Sequence, residues 1–82
     1  MTDLSHPILP LAYVPLYRQL YDVLHARIVN GEYPADTQMP SESELGRLFR
    51  VSRITVRQAL AELHRQGLIF KIQGKGTFVA RA

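Results

Sequence analysis

A chain of 82 residues is enough for one small domain and too little for two, and its 46% hydrophobic content can bury a modest core. The absence of cysteine excludes disulfides and thiolate metal sites, and no apolar run approaches the roughly 18 residues of a membrane span. The net charge of +3 hides an asymmetry: residues 1–46 carry Arg18 and Arg27 against six acidic residues, whereas residues 47–82 carry eight basic residues against Glu62 alone. Such segregation points to a polyanionic partner, or to a solvated face that aids solubility.

The N-terminal stretch MTDLSHPILPLAYVP has no basic start and no continuous apolar run, and Pro7 and Pro10 interrupt it. It is not a secretory signal; residues 1–13 read as a flexible lead-in to a domain over 14–82, expected in the cytoplasm with no membrane association. Pro15 fits the first turn of a helix. From there Leu16, Leu20, Leu24 and Ile28 recur every four residues beside Tyr17 and Tyr21, the apolar stripe of an amphipathic helix that ends at Asn30-Gly31. EYPADTQMP follows as a short extended link.

A second helix opens at Ser41, with Glu44 three residues on to complete a capping box. Leu45, Leu48 and Phe49 supply its buried edge. Glu42 and Glu44 complement the macrodipole at this helix start and are not an acid–base pair. RVS leaves room only for a tight turn, after which Ser52 caps a third helix. Val56, Ala59, Leu60 and Leu63 fall on one side of it at 100° per residue, and Gly67 stops it. LIFKI and TFVA, separated by QGKG, read as a hairpin. The fold class is therefore mainly α with a small β-hairpin: a winged helix-turn-helix of three helices and a two-stranded wing. The helix-turn-helix occupies about 41–66 and the wing about 68–80.

In this arrangement the apolar seam of the third helix faces inward and the opposite arc faces solvent. Ile54, Arg57, Gln58 and Ala61 lie on or beside that arc, and Arg53 and Thr55 project from its start. The first part of such a helix enters the DNA major groove, where arginine bridges guanine O6 and N7 or clamps a phosphate. Ser52 and Thr55 can bond phosphate oxygens. No carboxylate lies within VSRITVRQAL, so Arg53 and Arg57 are expected to lack a protein partner; an ion pair of Arg57 with Glu62 or with another helix is the alternative. Ile54 either contacts a thymine methyl or tucks against the preceding helix. At the wing tip, Gly74 and Gly76 allow close approach and Lys75 brings charge, for minor-groove or phosphate contact; a plain tight turn is the alternative.

Other chemistry finds little footing. His25 and His64 lie on different helices without metal-ligand neighbours. No serine sits in a nucleophile elbow, and GKGT between strands lacks the helix of a phosphate loop. Tyr13, Tyr17, Tyr21 and Tyr33 suit core edges better than stacking platforms. Neither catalysis nor a metal or cofactor is expected.

The stretches PLYRQLYDVLHARIVNGEYP, MPSESELGRLFRVSRITVRQALAELHRQGLI and GKGTFV together resemble the N-terminal domain of the GntR family of bacterial transcription regulators, and PLYRQL and GKGTFVA most resemble its HutC-type branch. The resemblance implies a winged helix-turn-helix that binds a palindromic operator as a dimer, with the third helix in the major groove and the wing in the minor groove. It implies DNA contact by Arg53, by Arg57 and by a wing-tip glycine, Gly74 or Gly76. Ser43 stands where many members carry a DNA-contacting arginine, and Ala35 and Met39 replace a usual glycine and leucine. Full members add a C-terminal domain that binds a small-molecule effector and dimerises; this chain is expected to be the excised or partial DNA-binding portion. A MocR-type module fused to an aminotransferase-like domain is the alternative, against which PSES and RQAL argue. A winged helix used only for protein contacts would not need so basic a C-terminal half.

Overall fold

The computed structural model describes residues 14–81, which form helices α1 (Leu16–Val29), α2 (Glu42–Phe49) and α3 (Arg53–Arg65) and strands β1 (Ile69–Ile72) and β2 (Gly76–Val79). The lead-in and Tyr13 lie outside the described residues. Pro15 stands one place earlier than expected: it is the N-cap of α1, and its carbonyl accepts from the amides of Arg18 and Gln19. The four-residue recurrence buries Leu20 and Leu24 completely, together with Tyr21, while Leu16 at the helix start remains exposed.

Ser41 caps α2 as expected: its hydroxyl accepts from the Glu44 amide at 3.1 Å, and the Glu44 carboxylate accepts from the Ser41 amide at 2.8 Å. Leu45 and Phe49, one turn apart, are buried. Leu48 is not, and its expected place on the buried edge is corrected: it is 53% exposed, because an eight-residue helix touching its neighbours along one line has room for the 45/49 row alone. The bend to α3 turns at Arg50, whose φ of 55° lies in the left-handed region. Gly46 makes this corner possible. A Cβ there would stand 3.2 Å from the Val51 carbonyl oxygen, whose own amide donates to the Gly46 carbonyl at 3.1 Å.

Helix α3 packs on α1, α2 and β1 and is the hub of the domain. Its seam of Val56, Ala59 and Leu63 is fully buried, with Leu60 half-buried. Transfer of a side chain such as Leu45 or Leu63 from water contributes about 1.5–3 kcal/mol. After α3 the chain turns at Gly67, and the hairpin pairs Ile69 with Val79, Phe70 with Phe78, Lys71 with Thr77 and Ile72 with Gly76. Ile69 and Val79 close the core beneath it, and Phe70 stacks on Phe78 at 5.9 Å on the opposite face.

The link before α2 is more than an extended connection. It turns at Asp36, with φ of 68°, and then runs beside the outer edge of β2. The Asp36 amide donates to Val79 O, Val79 N donates to Thr37 O, and Met39 N donates to Thr77 O, at 2.8, 2.9 and 2.8 Å. Gln38 is bridged to Phe78. The two-stranded wing is thus edged by a third extended segment, which satisfies backbone groups that an edge strand leaves open. Met39, in the usual leucine's place, is buried in the core.

Candidate nucleic-acid interface

The Ser52 cap fixes how α3 begins. Its hydroxyl accepts from the Thr55 amide at 3.1 Å and donates to Thr55 Oγ1 at 3.0 Å. The two hydroxyls share one hydrogen bond, so one of the two protons is used within the protein and the other can be donated outward. With the inward seam set by Val56, Ala59 and Leu63, the side chains of Arg53, Ile54, Arg57 and Gln58 all face solvent. Ile54 is 69% exposed, so it does not tuck against α2.

The expectation that Arg53 and Arg57 have no protein partner is corrected. Arg57 Nε donates to Glu42 Oε1 at 3.1 Å, fifteen residues away in sequence, and Arg53 Nη2 donates to Ser43 Oγ at 2.9 Å, ten residues away. The alternative of a pair with another helix holds for Arg57, with Glu42 as the partner. The first turn of α2 lies against the first turns of α3, and consecutive α2 residues each hold one arginine. These contacts steady the side chains without hiding them. The Arg57 and Glu42 side chains remain 62% and 37% exposed, and exposed pairs contribute about 0–1 kcal/mol. Glu42 engages the Nε position of a side chain that is mostly exposed, which leaves its terminal nitrogens available to donate to paired acceptors.

At the wing tip, Gly74 and Gly76 do different things. Gly74 has φ of 81° and open space where a Cβ would sit. Gly76, with φ of 133°, is closed on one side: a Cβ there would lie 2.5 Å from Gln38 Nε2. That amide donates to the Lys75 carbonyl at 2.8 Å. Lys75 itself is exposed, and among the described residues its ammonium has no hydrogen bond or ion pair. Between α3 and the hairpin runs a shallow groove lined by Arg57, His64, Lys71 and Thr77 among others. Gln38, Glu42, Ser43 and Lys71 were not among the residues expected at the site. The partners of Gln38, Glu42 and Ser43 lie far off in sequence, and no local periodicity signals such pairings.

Charge in the C-terminal half is only partly compensated. Glu62, the acidic residue of the C-terminal half, is held by Arg65 at 2.6 Å, and that bond, helped by Gln66, keeps its carboxyl below the usual range while raising Arg65. Arg81 pairs with Asp36. Glu44 is also held below its usual value, first by the Ser41 amide and then by the Ser41 hydroxyl. Among the described residues no group of three or more histidines and carboxylates could hold a metal ion, and no helix is long and apolar enough to cross a membrane.

The family model for bacterial regulatory proteins, gntR family, matches residues 16–79. The HTH-type transcriptional repressor NagR of Bacillus subtilis is 44% identical over 68 residues, covering 83% of this chain and 28% of NagR. The histidine utilization repressor of Pseudomonas aeruginosa is 40% identical over an alignment of 86 residues, covering 98% of this chain and 34% of the repressor. The chain thus spans about a third or less of these relatives. Among solved structures, AraR(DBD) in complex with operator ORX1 superposes with a TM-score of 0.80 at 40% identity, covering 88% of this chain and 89% of that one. YtrA from Sulfolobus acidocaldarius, a GntR-family transcription factor, superposes at 0.84 with 27% identity, covering 95% and 82%.

Proposed function

The chain belongs to the gntR family of bacterial regulatory proteins, and from that premise we propose that it is the domain of a transcriptional repressor that binds double-stranded operator DNA. In this reading α3 enters the major groove. Arg57 presents its free fork to a guanine edge, Arg53 reaches a base or phosphate beside it, Ile54 meets a thymine methyl and Gln58 reads an adjacent base edge. Thr55 donates to a phosphate, and Ser52 keeps the positive end of the helix in register. Gly74 lets the wing tip approach the minor groove, Lys75 supplies charge there, and Gly76 shapes the tip. The sugar-phosphate strand that separates a major from a minor groove then passes between α3 and the wing, over the groove that carries Lys71 and Thr77.

The observation that carries the reading is one solvent-facing arc: Arg53, Ile54, Arg57 and Gln58 stand side by side on the hub helix, held from behind by Glu42 and Ser43. AraR(DBD), which shares this fold, is in complex with an operator. The whole protein is proposed to act in the cytoplasm as a homodimer on a palindromic site, since two linked half-sites multiply effective concentration. A further domain would bind a small-molecule effector; this domain needs no cofactor and catalyses no reaction. The names of NagR and of the histidine utilization repressor favour a metabolite-responsive regulator of HutC type. The alternative of a MocR-type module has no support among the relatives described above.

The test is selection of bound duplexes from random DNA with a dimerised form of the chain, followed by titration of the winners at several salt concentrations. Enrichment of a palindrome with a steep salt dependence is expected. Recovery of unenriched DNA with no salt dependence would end the reading.

A further inference from the structure

We propose that Gln38 is a positioning residue that ties the wing tip to the helix-turn-helix, so that Lys75 contacts DNA only while Gln38 holds it; this rests on the operator-binding reading above. Gln38 sits in the link, 37 residues before Lys75, yet its side-chain amide donates to the Lys75 carbonyl at 2.8 Å. The wing is shaped to receive it. Gly76 is the residue whose missing Cβ makes room, since a Cβ there would fall 2.5 Å from Gln38 Nε2. The Gln38 backbone is anchored independently: it is bridged to Phe78, and its neighbours Thr37 and Met39 exchange backbone hydrogen bonds with Val79 and Thr77. The side chain therefore reaches the tip from a fixed base.

The same short stretch leads directly into α2. Three residues after Gln38, Ser41 caps that helix; Glu42 and Ser43 then hold Arg57 and Arg53. Residues 38–43 thus touch both DNA-facing elements, the tip through Gln38 and α3 through Glu42 and Ser43. A hairpin tip with one glycine in open space and an unpaired lysine between two glycines has many conformations of similar energy. One strut on the carbonyl of that lysine removes most of them before DNA arrives, and contact entropy lost in advance is not lost on binding.

The experiment uses the 82-residue chain, a short mixed-sequence duplex as probe, and fluorescence anisotropy across a salt series. Gln38→Leu keeps the bulk of the side chain but cannot donate; it is compared with Lys75→Ala and with the double variant. Removing a neutral side chain should by itself leave the slope of log K against log salt unchanged. The proposal expects instead that Gln38→Leu lowers the slope by about 1, as loss of one phosphate contact does, and weakens binding roughly three- to tenfold, the scale of one phosphate contact. Lys75→Ala should then add less than about twofold on the Gln38→Leu background, a non-additivity expected of coupled residues. Thermal unfolding accompanies each variant to show that the fold persists. A wild-type slope in Gln38→Leu, or full additivity of the two substitutions, overturns the proposal. If neither the chain nor its dimerised form binds any duplex, the operator-binding reading falls and takes this proposal with it; binding with an unmoved Gln38→Leu slope removes this proposal alone.

Discussion

Replacing Arg57 by alanine separates what this residue does for DNA from what it does for the fold. In the free protein it makes one exposed pair, Nε to Glu42 Oε1 at 3.1 Å, worth at most about 1 kcal/mol. In a domain of this size 1 kcal/mol corresponds to about 4–8 °C in Tm, so Arg57→Ala should unfold no more than about 8 °C below the parent. On DNA the terminal fork is proposed to bridge a base edge, and its loss costs about 1–3 kcal/mol, roughly 5- to 150-fold in Kd. A second effect adds to the first: the Glu42 carboxylate, no longer neutralised, then faces the phosphates. Glu42→Gln/Arg57→Ala should therefore bind better than Arg57→Ala alone, although it has lost a second polar partner. The assay is anisotropy titration on a selected duplex and on versions with each base pair changed, with unfolding followed by circular dichroism. If Arg57→Ala keeps the parent's affinity and base preference, or loses affinity equally on every sequence, the placement of its fork on a base edge is wrong.

Ile54→Ser should lower affinity for a site with a thymine under α3 and leave its uracil analogue unaffected; equal loss on both would exclude methyl contact. Ser41→Ala removes the hydroxyl half of the capping box and should destabilise the domain by about 1 kcal/mol in chemical denaturation. The carboxyls of Glu44 and Glu62 are held below their usual value when folded, so their contribution is present above the ordinary carboxylate range and lost as pH falls through the lower folded value. Tm measured from neutral to acidic pH should therefore fall with acidification, and Glu44→Gln should flatten that limb with Glu62→Gln flattening it further; an unchanged acid limb in the double variant would refute the assignment. Leu63→Ala, at the buried centre of α3, should cost about 2–5 kcal/mol and reduce DNA binding in proportion to the unfolded fraction.

Much of this architecture is written in short-range pattern. The four-residue recurrence of α1, the Ser41–Glu44 box, the Ser52 cap and the glycine-flanked hairpin depend on residues within one or two turns of each other, and all appear where the sequence puts them. Leu48 is misread because periodicity says which residues share a face, not how wide a strip of that face a short helix can cover. The partners of Arg53 and Arg57 escape for another reason. VSRITVRQAL contains no carboxylate, but α2 brings Glu42 and Ser43 from fifteen and ten residues away, and no spacing rule specifies the angle between two helices. Gln38 is the extreme case. Read alone, QGKG explains both glycines by approach to DNA, whereas Gly76 is spoken for by a side chain from the far end of the motif.

The strand β2 lies between β1 on one side and the link on the other, and the backbone beyond it is pinned again where Ala80 N donates to Leu68 O. A pull transmitted along β2 therefore loads hydrogen bonds on both flanks in shear, all at once, instead of peeling them one by one. Mechanically the wing's middle strand is clamped along both of its edges, and its exit is clamped once more at Ala80.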